Sequence, residues 1–256
     1  MEMSAAEKLF PGFEVIDVHA HVGKWALDGI EGSVYELRKL LDLSGISKVI
    51  VSSVLALCYD AREGNAEVER FVESDERVYG AVVFNANYMD EARDEICRYA
   101  DNPRFVCAKN HPSYARMPIN AAPNLKMIEL LSEKELPLTF HTWAGDGPRA
   151  ADVAKRFPNL TMFWFHSLAG EYRLAAELAK DLPNVVLEYV TSTQERGKIE
   201  HLVSAVGADR LVFGTDESLQ NPVYHLAPLY EANITDDDRR KILSENALRL
   251  FDFGKA

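Results

Sequence analysis

Two histidines, His19 and His21, stand two residues apart at the end of the short apolar run FEVIDVHAH. Side chains alternate faces along a β-strand, so Asp17, His19 and His21 are expected on one face and Ile16, Val18 and Ala20 on the other. Two imidazoles on one face can meet a single cation. Other apolar runs also end in polar residues: Lys109 in RFVCAKN, His141 in LPLTFHTW, His166 in LTMFWFHS and Asp216 in DRLVFGTDE. Imidazole and carboxylate donors without a thiolate suit Zn2+, with Mn2+, Fe2+ or Co2+ as substitutes. Three histidines and one aspartate leave a position for water or substrate, which marks a catalytic site. Asp17 is a candidate to orient a ligand or a neighbouring backbone group from behind. A single inward histidine is more often a hydrogen-bonded core residue, so it is the joint placement that points to a metal. By the same logic His201, in a helical segment, is expected at the surface, and His225 as a local hydrogen-bonding residue.

The elements that must position these residues alternate. Eight short β-branched or aromatic runs occur: FEVIDVHAH, SKVIVSSVL, RVYGAVVFN, RFVCAKN, LPLTFHTW, LTMFWFHS, NVVLEYVTS and DRLVFGTDE. Segments of helical spacing lie between them, such as SVYELRKLLDLSG, MDEARDEICRYA and EYRLAAELAKDL, and a last one, ITDDDRRKILSENALRLF, opens on a Thr235 cap. Eight strands each followed by a helix predict an α/β fold, a (β/α)8 TIM barrel, as a single domain over 1–256. A doubly wound open sheet competes, but no glycine-rich phosphate loop follows the first strand. In such barrels the chemistry sits at the carboxyl ends of the strands, where the polar residues above fall. Alternation places Met162, Trp164 and His166 inward on the sixth strand with Phe163 and Phe165 towards the helices. On the eighth it places Val212, Gly214 and Asp216 inward, with small Gly214 leaving room for an ion.

Composition narrows the function. The 256 residues are 47% hydrophobic, enough for a sizeable core. A formal charge of −12 without basic clusters argues against nucleic-acid binding. Cys58, Cys97 and Cys107 are far apart and are expected as reduced thiols. No run is long and apolar enough for a membrane span, and the start resembles neither a signal peptide nor a lipidation motif, so a cytoplasmic protein without membrane or nucleic-acid partners is expected.

IDVHAH, KNHPSYARMPIN, LPLTFHTW, RFPNLTMFWFHS, GADRLVFGTD and ILSENALRLF together resemble the amidohydrolase superfamily, specifically the amidohydrolase-related branch containing aminocarboxymuconate-semialdehyde decarboxylase and its hydrolase and decarboxylase relatives. The likeness covers nearly the whole chain. It implies that His19, His21, His141 and Asp216 hold one divalent metal per chain, that His166 is the catalytic histidine beside it, and that the enzyme is a homodimer. Lys109 matches a strand-four lysine of many short members; it either carries a carbamate bridging two metals, grips an anionic substrate, or braces the site. Glu217 and Ser218 after Asp216, and Trp143 after His141-Thr142, depart from the common pattern at the pocket mouth.

The main expectation is a metal-dependent hydrolase of an amide, ester or lactone of a small molecule, with Asp216 taking the proton of an activated water and His166 stabilising the oxyanion. The alternative is non-oxidative decarboxylation of a small unsaturated or aromatic acid at the same site, with Asp216 or His166 delivering a proton to carbon. A barrel that binds without turnover is a third reading. Candidate substrate-facing residues are His111, Tyr114, Arg116 and Trp143. Arg116, Arg149 and Arg173 are candidates to grip a carboxylate, with surface positions favoured. Glu188 either faces the pocket or, as the favoured reading, makes a salt bridge at the rim.

Overall fold

The computed structural model describes residues 3–25 and 29–254. Nine strands form one sheet: β1 (Ile16–Lys24), β2 (Glu31–Gly32), β3 (Lys48–Ser53), β4 (Val78–Val83), β5 (Phe105–Asn110), β6 (Leu138–His141), β7 (Met162–Phe165), β8 (Val185–Glu188) and β9 (Leu211–Val212). Their order is β2-β1-β3-β4-β5-β6-β7-β8-β9. β2 pairs antiparallel with β1, and every other pairing is parallel. The parallel strands are those expected from the sequence, and β2 is a two-residue addition. Val18 N–H donates to Phe213 O at 3.1 Å, Asp216 N–H to His19 O at 2.8 Å, and His21 N–H to Glu217 O. These bonds join β1 to the chain leaving β9, so the sheet curls until its ends meet, which is consistent with the expected barrel.

Helices connect the strands, and their ends follow local chemistry. Ser33 caps the helix Val34–Ser44 in a capping box with Glu36, and Gly45, at φ 79°, ends it in the left-handed conformation. Thr235 caps the helix Asp236–Arg240 through Asp238, as anticipated. Among the described residues no helix is long and apolar enough to cross a membrane.

Two apolar clusters separate the faces of the sheet. The larger joins Ala20, Val22, Val51, Phe140, Trp164 and Phe213 to helix residues such as Leu41, Phe71, Val153 and Leu202. The smaller holds Ile16, Val18, Ile50, Val106, Phe163, Phe165, Val186 and Val212, with Phe251 of the C-terminal segment. This is the inner face, closed at one end by the C-terminal segment.

The clusters correct two expectations. On β7 it is Phe163 and Phe165 that lie in the inner cluster, while Met162 and Trp164 face the helices. His166 reaches the interior because the chain leaves the strand there: His166, Ser167, Leu168 and Ala169 all have positive φ, 70°, 48°, 60° and 52°. On β1 the pairing with β3 shifts between Asp17 and Ala20. A bulge of this kind inserts a residue and reverses the alternation beyond it. Ile16 and Val18 are therefore inward before it, His19 and His21 after it, and Asp17 does not share their face. β9 follows the expected parity, with Val212 inward and Leu211 and Phe213 outward.

Candidate metal and catalytic site

At the carboxyl ends of the strands His19, His21 and Asp216 come together. His19 Nε2 lies 3.2 Å from His21 Nε2 and 3.4 Å from Asp216 Oδ1, and His21 Nε2 lies 3.2 Å from the same oxygen. His166 also offers a nitrogen within 4.8 Å of His19 and Asp216 ligand atoms. The His141 ring stands next to this group, its centroid 4.7 Å from that of His166. Lys109 Nζ donates to His19 Nε2 at 3.1 Å and lies 4.2 Å from the centre of the Phe165 ring, on which His19 is itself stacked at 3.9 Å.

Neighbouring groups fix these rings. Glu188 Oε1 faces His19 Nδ1 at 3.0 Å, and Glu188 Oε2 accepts the His166 N–H at 2.7 Å. Because Lys109 donates to Nε2 of His19, that nitrogen carries the lone pair and Nδ1–H donates to Glu188. Ser52 Oγ sits 2.9 Å from His21 Nδ1, and His166 Nδ1–H donates to Val190 O at 2.9 Å. Each ring thus turns its other nitrogen towards the centre, the arrangement that ligating imidazoles use. Glu188 is 0% exposed, which corrects the expected rim salt bridge. Asp17 accepts the His19 N–H at 2.9 Å and the Thr215 hydroxyl at 2.5 Å, so it braces backbone and loop and touches no imidazole.

Around this group the aromatic rings form a collar. Tyr114 stacks on His111 at 3.9 Å, His111 on His141 at 4.1 Å, and His141 on Trp143 at 5.5 Å, with interplanar angles of 15°, 16° and 7°. Trp143 meets His166 edge-on at 5.6 Å, and Trp25 links Tyr114 to His21 at 6.1 Å and 5.3 Å. Tyr114 and Trp143 reach solvent, being 42% and 41% exposed. Of the sequence candidates, His111, Tyr114 and Trp143 therefore gather at the mouth. Arg116 is exposed at the end of the short helix Pro112–Ala115, Arg149 pairs with Asp146 at 4.0 Å, and Arg173 stacks on Tyr172 at 4.6 Å. The buried cation that touches the histidine group is Lys109. His201 meets the Tyr172 ring edge-on at 5.7 Å, whereas His225 is buried, its Nδ1 2.8 Å from Gln194 Nε2.

Burial dominates the electrostatics. It lowers His19, His111 and His141 well below the usual histidine range, His21 to a lesser degree, His166 to about 4 and His225 to about 3. Burial takes Lys109 down to about 8 against the pull of Asp216 and Glu188. It would raise Asp216, but the His21 hydrogen bond and the charges of His166, His21 and Lys109 hold that carboxylate at about 2. Desolvation pushes Asp17 to about 7, Glu217 to about 8 and Glu188 well up.

These directions set an acid limit on stability. Between roughly pH 6.5 and 4.5 the unfolded chain binds protons on His19, His21, His111, His141, His166 and His225 that the fold excludes. The fold binds extra protons on Asp17, Glu95, Glu188 and Glu217, which are fewer. The unfolded state therefore holds more protons, and metal-free protein should lose stability steadily as pH falls through that window. A urea midpoint that stays flat or rises from pH 6.5 to 4.5 would contradict this.

Gly214 is a second point of control. A Cβ there would overlap Glu188 Oε1 and come within 2.8 Å of His19 Cβ. Gly214→Ala should displace both side chains and cost at least about tenfold in metal affinity, as losing an orienting partner does. Equal affinity in the two proteins, read by metal titration, would refute that.

Sequence reasoning missed Ser52, Phe165, Trp25 and Val190 O and misplaced Glu188. Ser52 and Glu188 share parity with inward Ile50 and Val186, a signal that was present; Trp25 and the Val190 carbonyl lie on loops and left none.

Comparison with solved structures shows the same fold. Dihydroxybenzoic acid decarboxylase from Polaromonas sp., solved with manganese and 2-nitroresorcinol, has 16% identity and a TM-score of 0.77, covering 95% of this chain and 98% of its own. 5-Carboxyvanillate decarboxylase from Novosphingobium aromaticivorans, solved with manganese and 4-hydroxy-3-methoxy-5-nitrobenzoic acid, has 12% identity and a TM-score of 0.77, covering 97% and 98%. 2,6-Dihydroxybenzoate decarboxylase from Rhizobium has 15% identity and a TM-score of 0.74, covering 93% and 98%. No curated protein sequence matches the chain.

These relatives correct the expectation of a hydrolase. They are mainly decarboxylases, and nothing among them supports amide, ester or lactone hydrolysis. The ligand pattern could not separate the two chemistries, because both use the same imidazoles and aspartate. The amidohydrolase family model matches residues 16–253, so the chain belongs to the amidohydrolase family.

Proposed function

We propose that this protein is a divalent-metal-dependent, non-oxidative decarboxylase of a small planar carboxylic acid, aromatic or conjugated. The observation that carries the reading is the collar of Trp25, Tyr114, His111, His141 and Trp143 around a buried group of imidazoles, one lysine and one ionised aspartate. Flat rings favour a flat substrate, and a wall of this kind limits water around a bound carboxylate. The fold shared with dihydroxybenzoate and carboxyvanillate decarboxylases supports the same substrate class.

The residues present fit a divalent ion. His19 Nε2, His21 Nε2 and Asp216 Oδ1 lie mutually 3.2–3.4 Å apart, and Glu188 and Ser52 face the remaining imidazole nitrogens. His19, His21, His141 and Asp216 would hold one ion per chain, zinc or the manganese found in two of the relatives. When bound it supplies Lewis-acid polarisation of a substrate oxygen.

The chain supplies the rest. The collar offers flat rings beside the buried group for the substrate plane to lie against, and the Lys109 ammonium attracts the anion into the site. His166, with Nδ1–H held by Val190 O, presents Nε2 as an acceptor for a substrate hydroxyl. As the carbon–carboxylate bond breaks, its electron pair stays on carbon and a proton must arrive there. Asp216 is ionised and His166 neutral near pH 7, whereas Lys109, at about 8, still holds its proton on Nζ. Lys109 is therefore the proposed acid: carbon gains the proton, CO2 leaves, and solvent reprotonates the amine.

The test is metal-loaded protein in D2O with a panel of planar acids, including 2,6-dihydroxybenzoate and 5-carboxyvanillate. The expected result is CO2 release with one deuterium on the carbon that bore the carboxylate, lost on chelation and restored by metal. Consumption of an acid without CO2, or no turnover of any acid by protein with metal bound, would overturn the reading.

A further inference from the structure

The chain leaving β8 carries the carbonyl that orients His166: Val190 O accepts the ring's Nδ1–H at 2.9 Å. Both neighbours of Val190 are tied to one residue of the helix Pro222–Glu231. The Tyr189 hydroxyl donates to His225 O at 2.8 Å, and Gln194 Nε2 bridges Thr191 O at 3.4 Å and His225 Nδ1 at 2.8 Å. Tyr189, Val190, Thr191 and His225 are all buried. Further bonds close the loop on itself, since the Thr191 hydroxyl donates to Thr193 O and accepts from Lys198 Nζ at 3.4 Å.

The hydrogens in this chain of bonds follow from the Thr191 carbonyl, which can only accept. The Gln194 group that meets it is therefore the NH2, and the same NH2 donates to His225 Nδ1. His225, kept neutral by burial, then carries its hydrogen on Nε2, which has no partner among the described residues. A buried donor left open is rare in a folded protein, so the contact with Gln194, and not the surroundings of Nε2, sets this tautomer.

We infer that His225 is a positioning residue for His166. Through Tyr189 and Gln194 it holds both flanks of Val190, and the Val190 carbonyl in turn fixes the tautomer and the plane of the His166 ring. The consequence for turnover rests on the decarboxylase reading, in which His166 Nε2 accepts from the substrate, whereas the placement of the ring does not.

The test is nitrogen NMR of the full metal-free chain labelled with 15N-histidine, the His166 signals being assigned by their loss in His166→Gln. Wild-type His166 should carry its hydrogen on Nδ1 and none on Nε2. In His225→Phe, which keeps a ring but removes the acceptor, and in Gln194→Leu, a second form with hydrogen on Nε2 should appear. His225→Asn, whose side-chain oxygen stands in for Nδ1 as acceptor, should restore the wild-type pattern. At saturating metal, kcat should fall at least about tenfold in His225→Phe and recover in His225→Asn. Gln194 is only half-buried, so Gln194→Leu keeps the test decisive if His225→Phe fails to fold by circular dichroism. His166 nitrogens unchanged in the folded variants, or disturbed as much by His225→Asn as by His225→Phe, would overturn the inference whether or not the protein decarboxylates. His166 signals that respond as stated in a protein that releases no CO2 would support it and overturn the decarboxylase reading alone.

Discussion

Asp216→Asn should lower kcat/KM by about three orders of magnitude and weaken metal binding, with the fold intact by circular dichroism. Asp216 supplies the one carboxylate in the group and is held ionised at about 2 by His21, His166 and Lys109. An amide cannot provide that charge. The φ of 56° at Asp216 gives a further reason for confining the change to asparagine, which tolerates the left-handed region better than most residues. Metal content by mass spectrometry and steady-state kinetics check both parts. A variant that keeps its metal and turns over within about tenfold of the wild type would remove Asp216 from the proposed site.

The second large effect is expected at Glu188, a positioning residue that acts through His19 and His166. Its two oxygens meet the His19 Nδ1–H and the His166 N–H, so one side chain sets both the tautomer of a proposed ligand and the start of the left-handed turn that brings His166 inward. Glu188→Gln retains the shape but can accept well at only one of its two atoms. Metal affinity should fall about 10- to 100-fold, the cost of losing a group that orients a ligating histidine. At saturating metal, kcat should recover more than metal affinity does, which a merely destabilised fold would not show. Glu188→Ala should be harsher, leaving two buried donors unpaired at about 1–3 kcal/mol each. An unchanged metal dissociation constant in Glu188→Gln would show that His19 needs no such partner.

The eight parallel strands were legible because each is a short β-branched or aromatic run bounded by turn residues, and the polar ends of those runs disclosed His19, His21, Lys109 and Asp216. Alternation failed where the backbone departs from a regular strand. The shift between Asp17 and Ala20 in β1 cannot be read from side-chain type, so Asp17 was grouped with the histidines it only supports through the backbone. On β7 both faces are aromatic, and nothing in Met162-Phe163-Trp164-Phe165 distinguishes the inner face from the outer. His166 was placed correctly for an incorrect reason, since a positive φ and not strand parity turns it inward. Glu188 shares parity with Val186, but parity on a four-residue strand does not say how deep its end lies. The collar was the least legible feature, because stacking of Tyr114, His111, His141 and Trp143 depends on how two loops fold over the strand ends. That same lining is the feature on which the proposed decarboxylase reading rests.

The most direct test of the account is CO2 released per planar acid consumed, followed as metal is titrated into metal-free protein. The expected result is one CO2 for each acid lost, with the rate rising linearly and levelling at about one ion per chain. Acid consumption that yields no CO2, or a rate indifferent to metal, would contradict it.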